Sequence, residues 1–149
     1  MRYTPFMKPE SNLGGLLGKS SRLMANLFNS DLIALGLTIS QWTLLALLWE
    51  RDHQHQKELQ HALLKDKATV TSLVTYLIRN GFITKTKDEN DKRSYIVSLT
   101  QKGQEVRVKT IPFAIQNITL ATKGIDKEAL EITTKVLSQI ITNLTQENL

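Results

Sequence analysis

Apolar residues recur at spacings of three and four over Leu13, Leu16, Leu17, Leu23, Met24, Leu27 and Phe28, which predicts an amphipathic helix over about 10–34. Gly14, Gly15 and Gly18 weaken its first turns, and Gly36 ends the pattern. Thr38-Ile39-Ser40-Gln41 has the form of a capping box, opening a second helix to about Arg51. That helix is apolar nearly all round and so belongs at the buried centre. His53-Gln54-His55-Gln56 reads as a polar connection. Leu59, Leu63 and Leu64 predict a short helix from about Gln56, and Lys65-Asp66-Lys67 a turn. A longer helix follows from Ala68 to Asn80, closed by Gly81. The period then drops to two. Residues 82–87 and 95–99 predict a β-hairpin, with the charged segment 88–94 as its tip. Thr100 caps a helix through Val106, Val108, Ile111, Ile115 and Ile118 to near Gly124, with a kink or break expected one turn before Pro112. Asp126 caps the last helix, Ile125 and Leu130 have the spacing of a hydrophobic staple, and Leu130, Leu137, Ile140, Ile141 and Leu144 share one face.

A short helix, a tight turn, a second helix and a hairpin make a winged helix–turn–helix. The fold class expected is mainly α with a small β-hairpin wing: one 149-residue unit whose core spans 37–103. Segments 8–34 and 104–147 add helices with apolar stripes too long for so small a core to cover. Two copies burying those stripes against each other predict a homodimer.

Charge sharpens this picture. Residues 57–110 hold eleven basic and six acidic side chains, and so carry a net charge equal to the whole chain's +5. A basic segment between near-neutral ends is the footprint of a polyanion-binding module, though a lysine-rich solvated surface has the same arithmetic. There is no cysteine, which removes disulfides, thiolate metal sites and thiol-based sensing. The longest apolar run, residues 44–49, is far short of the roughly 20 residues of a membrane span, and residues 1–10 lack the apolar region of a signal peptide. A cytoplasmic protein with no membrane partner is expected.

The wording of four segments in this order resembles the MarR family of bacterial transcription regulators. They are residues 37–42, 67–74, 77–83 and 91–103, the last containing Asp91-Lys92-Arg93-Ser94 and Thr100-Gln101-Lys102-Gly103. The resemblance implies a homodimeric winged-helix repressor that binds double-stranded DNA at an inverted-repeat operator and is released by a small-molecule effector. It also implies a ligand cavity near the dimer interface, which on this chain points to Leu16, Trp42, Trp49 and Phe113. The plainer reading of those four is that they are core residues. Part of the family senses oxidants through cysteine, and this chain departs from that group.

On the helix from Ala68, Val70, Leu73, Val74 and Leu77 form the face that packs inward. The opposite face carries Ser72, Thr75, Tyr76 and Arg79, flanked by Thr69 and Thr71. Small hydroxylated residues near a helix start permit close approach to a groove floor. Lys67 and the helix amides there attract phosphate. At the hairpin tip Arg93 is placed to enter a minor groove, with Asp91 expected to hold its guanidinium and Lys92 to contact phosphate. A polar solvated face and an exposed ion pair are the plainer readings of these residues. His53, His55 and His61 lie close in sequence, but no zinc-type spacing joins them, so exposed loop histidines are the simpler account. No cofactor, catalytic or phosphate-loop motif is present, so no enzyme is expected. The competing reading is a winged-helix module that binds protein rather than operator DNA.

Overall fold

A computed structural model describes residues 12–146 as six helices and a three-stranded antiparallel sheet. Helix α1 (Leu13–Ile33) starts behind Asn12, whose side chain accepts from the Gly15 N–H at 2.7 Å. This cap sets the start later than the expected residue 10. The outermost parts of segments 8–34 and 104–147 lie outside the described residues. Gly36 closes α1 with a positive φ of 71°, the Leu37 N–H reaching back to the Leu32 carbonyl at 3.1 Å.

Helix α2 (Ile39–Glu50) carries both halves of the expected capping box. Its Leu44, Leu45 and Leu48 are buried at the centre of the molecule. Around them pack Leu59 of α3 (Gln56–Leu63) and Val70, Val74 and Leu77 of α4 (Lys67–Arg79). Ile83 of β2 (Ile83–Lys87), Val97 of β3 (Tyr95–Leu99) and Val106 of α5 (Gln101–Ala121) join this core, as do Phe28 and Leu32 of α1, Leu37 and Phe82. Each such side chain contributes about 1.5–3 kcal/mol by leaving water.

The structure corrects four expectations. Residues 54–55 are not a plain connection but a strand, β1 (Gln54–His55), pairing antiparallel with β3 through Gln54↔Val97 and His55↔Ile96. The hairpin therefore gains a third strand in the order β1-β3-β2. Two residues cannot display a period, so no sequence pattern announced it. Helix α4 begins at Lys67, and Asp66, read as mid-turn, is its N-cap. Leu64 is a left-handed cap with φ 52° and is largely exposed, rather than an inward helical residue. Finally, no break falls before Pro112: α5 is continuous through it. Pro112 has no N–H to offer the Val108 carbonyl one turn before it, and Val108 lies on the exposed side of the helix, 76% exposed.

The last helix, α6 (Lys127–Gln146), follows Asp126, whose carboxylate accepts from the Glu128 and Ala129 N–H groups. None of its residues is buried. Ile132, Val136 and Ile141 are exposed there, as are Leu16 and Leu23 of α1 and Ile115 and Leu120 of α5. No helix among the described residues is long and apolar enough to cross a membrane.

Candidate nucleic-acid interface

The sheet aims the wing. Register Ile83↔Leu99 to Lys87↔Tyr95 sets Ile83, Lys85, Val97 and Tyr95 on one face of the sheet; Ile83 and Val97 are buried in the core, and farther toward the tip Lys85 and Tyr95 line the cleft, Lys85 Nζ lying 4.3 Å from the Tyr95 ring centre. At the tip the Asp88 N–H donates to the Ser94 carbonyl at 3.0 Å. At the base, Asp52 Oδ1 accepts from the Leu99 N–H at 2.9 Å and from the His53 N–H at 2.8 Å, so one carboxylate joins the end of β3 to the segment after α2.

Asp91 shapes the tip differently from expectation. It accepts from the Arg93 backbone N–H at 3.0 Å and from the Ser94 hydroxyl at 2.9 Å, not from the Arg93 guanidinium. A short side chain two residues earlier reaches a backbone amide more readily than the end of a long arginine. The Arg93 N–H, then Ser94, holds the Asp91 carboxyl below the usual aspartate range. Arg93 itself is exposed at the tip.

Between the start of α4, the face of α3 and this wing lies a cleft of about 530 Å³. It brings together Lys67, Thr71 and Arg93 from the expected set with Lys57, Lys85, Gln56 and Tyr95. None of its described lining residues is acidic. Gln56 donates from Nε2 to Thr71 Oγ1 at 2.8 Å across the α3–α4 junction. Lys57 and Gln56 escaped sequence reasoning because α3 showed only a core signal; the charge of segment 57–110 was the one available pointer.

Other expected residues are exposed but stand outside the cleft. Arg79 lies at the far end of α4, about 18 Å along the axis from Lys67 at 1.5 Å per residue. Ser72 and Thr75 occupy the stretch between, and Lys92 sits on the wing tip. Thr69 gives both its N–H and its hydroxyl to Asp66, at 2.8 and 2.9 Å. Those bonds, the backbone one first, keep the Asp66 carboxyl below its ordinary range. The helix start expected to attract phosphate is thus occupied by the chain's own carboxylate. Tyr76, placed on the outer face by periodicity, is half-buried and donates its hydroxyl to the Gly36 carbonyl at 2.6 Å, tying α4 to the α1–α2 turn.

The three histidines diverge. His53 Nδ1 lies 2.7 Å from Ser98 Oγ, and His55 Nε2 pairs with Asp88 at 3.3 Å, so His55 is a strand residue bracing the wing rather than a loose loop residue. His61 is exposed on α3, and no group of three or more potential ligands among the described residues could hold a metal.

A second, apolar cavity of about 480 Å³ lies among α1, α2, α5 and α6, lined by Leu17, Met24, Phe28, Trp42, Ile118 and Leu137 among others. Of the four expected lining residues only Trp42 is there. Leu16, one residue from Leu17 and so turned about 100° away, is half-exposed. Trp49 packs on the core and donates its indole N–H to the Gly103 carbonyl, and Phe113 also packs there.

A model of the MarR family matches residues 37–95. Over 105 residues the chain is 34% identical to the organic hydroperoxide resistance transcriptional regulator of Bacillus subtilis strain 168, the match covering 70% of this chain and 71% of that protein. A MarR protein from Peptoclostridium difficile DA00132 shares the fold with a TM-score of 0.88 at 27% identity, covering 99% of this chain and 95% of that one. BpsR of Bordetella bronchiseptica, whose DNA binding is regulated by 6-hydroxynicotinic acid, shares the fold with a TM-score of 0.82 at 21% identity, over 94% and 97% of the two chains.

Proposed function

The chain belongs to the MarR family of DNA-binding transcriptional regulators, and from that premise we propose that it is a homodimeric repressor reading an inverted-repeat operator and released by a small molecule. The observation that carries this is the cleft between α4 and the wing, where four cations converge and none of the described lining residues carries a carboxylate. A helix lying in a major groove with a wing in the adjacent minor groove must straddle the sugar–phosphate strand dividing them. A basic cleft between those two elements suits that strand.

In this reading Ser72, Thr75 and Arg79 face base edges, Thr69 lies at the helix start, and Arg93 enters the minor groove, its tip kept in shape by Asp91. Lys67 and Lys92 contact phosphate. The uncovered apolar faces of α1, α5 and α6 support dimerisation by segments 8–34 and 104–147. The cavity beside Trp42 supports an apolar effector, bound where movement of α1 and α2 is passed to α4 through Tyr76 and Gly36. Whatever effector releases this chain acts without a thiol, because the chain has no cysteine.

Footprinting on the DNA flanking its own gene tests the proposal. Two protected half-sites with centres about 10 bp apart on one face of the duplex are expected. A dimer neutralising about 6–10 phosphates should lose about 10³–10⁵ in affinity between 50 and 200 mM salt. One short unpaired site with little salt dependence would favour the protein-binding module instead.

A further inference from the structure

Three threonines stand on the first turns of α4, and their hydroxyl protons have different fates. Thr69 donates to Asp66 Oδ2 at 2.9 Å, and Thr75 donates back to the Thr71 carbonyl at 2.8 Å. Both protons are spent within the protein. Thr71 differs: its oxygen accepts from Gln56 Nε2 at 2.8 Å, and its own proton finds no acceptor among the described residues. A helical threonine ordinarily turns that proton onto the carbonyl four residues back, as Thr75 does. Thr71 makes no such bond among the described residues; its Oγ1 is instead held toward the Gln56 amide. The surroundings favour this sense of the Gln56–Thr71 bond. In a cleft lined by Lys57, Lys67, Lys85 and Arg93 the amide oxygen is drawn to the cations, which leaves the NH₂ for Thr71.

Resting on the DNA-binding reading above, we propose that Gln56 is a positioning residue that turns the Thr71 hydroxyl outward, so that it donates to a phosphate oxygen of the strand held between α4 and the wing. Thr71 is the contact; Gln56 acts through it. The acceptor is a phosphate rather than a base edge because Thr71 lines the cleft, whereas Ser72 and Thr75, farther along α4, do not. A hydrogen bond from a neutral donor to a charged acceptor is also stronger than a neutral pair, which suits a single hydroxyl among cations.

The test uses the full chain and a 40-bp duplex of mixed sequence, since a phosphate contact needs no operator. Thr71→Val, which removes the hydroxyl at nearly constant shape, should weaken binding on the order of tenfold. Gln56→Met should weaken it several-fold by releasing the Thr71 proton to the helix carbonyl. The double variant should be no weaker than Thr71→Val alone. Thr71→Ser should bind like the parent, and the slope of log affinity against log salt should stay unchanged because no charge is lost. Thermal melting of each variant separates a lost contact from a lost fold. Full affinity in Thr71→Val, or losses that multiply in the double variant, would overturn the proposal and leave the DNA reading standing. A loss confined to one DNA sequence would overturn the phosphate assignment. Failure of the parent chain to bind any duplex would overturn both.

Discussion

Trp49 donates its indole N–H to the carbonyl of Gly103 at 2.9 Å, joining the end of α2 to the first turn of α5. The joint depends on a glycine. A Cβ at Gly103 would lie 2.1 Å from the Phe82 carbonyl oxygen and 3.0 Å from Leu99 Cδ2. The start of α5 is therefore pressed onto the strand that leads into the wing.

Gly103→Ala should be strongly destabilising, because the obstacle is backbone and cannot swing aside. The expected cost is at or beyond the upper end of the ~1–3 kcal/mol usual for overpacking. Trp49→Phe removes the indole donor together with part of the ring that packs against Trp42, and should cost about 1–3 kcal/mol. Denaturant unfolding monitored by circular dichroism checks both, and a Gly103→Ala protein as stable as the parent would show that α5 can slide away from Phe82.

Arg93→Ala should weaken DNA binding by about 1–3 kcal/mol and leave the unfolding midpoint unchanged, since the tip is exposed and packs on nothing in the core. Lys85→Ala and Lys57→Ala should instead lower affinity for all sequences alike and reduce the salt slope by about 1 each. Anisotropy titrations at several salt concentrations read both effects.

Asp66 and Asp91 are both held below the ordinary aspartate range by hydrogen bonds to their charged forms. A carboxylate with a depressed folded value stabilises the fold above its unfolded value and loses that contribution as pH falls through the folded one. Protection against hydrogen exchange, taken relative to the intrinsic rate at each pH, should therefore be steady between pH 5 and 7 at the start of α4 and at the wing tip and fall only below about pH 4. Asp91→Ala should accelerate exchange at the tip alone and Asp66→Ala at the helix start alone.

The full chain should sediment at twice its 16.9 kDa mass. Ile141→Asp, which places a charge on the uncovered face of α6, should shift it towards monomer or into aggregates. A parent chain that stays monomeric at high concentration would remove the homodimer from the proposal.

An organic hydroperoxide at a dose that oxidises protein thiols should leave DNA affinity unaltered, because no thiol exists in this chain to report it. Release from DNA under those conditions would require chemistry at another residue, with Met24 beside the apolar cavity the first to inspect.

What the sequence determined by itself was whatever depends on local periodicity and capping. The inward face of α4, the Thr38–Gln41 box, the glycine after α4 and the hairpin all follow from contacts a few residues apart, and all were legible. The concentration of positive charge in residues 57–110 was legible too, since it needs only counting. Tertiary structure alone decided what joins distant segments. Strand β1 exists because β3 offers it edge hydrogen bonds, and two residues carry no pattern of their own. Tyr76 lost its place on the outer face because the Gly36 carbonyl, forty residues earlier, lies within reach of its hydroxyl. The cleft draws Lys57, Lys67, Lys85 and Arg93 from four different elements or loops, and Thr71 became distinct from its neighbouring threonines only when α3 set Gln56 against it. Helical period says which side chains leave the core; only the packing of one element on another says what each then meets.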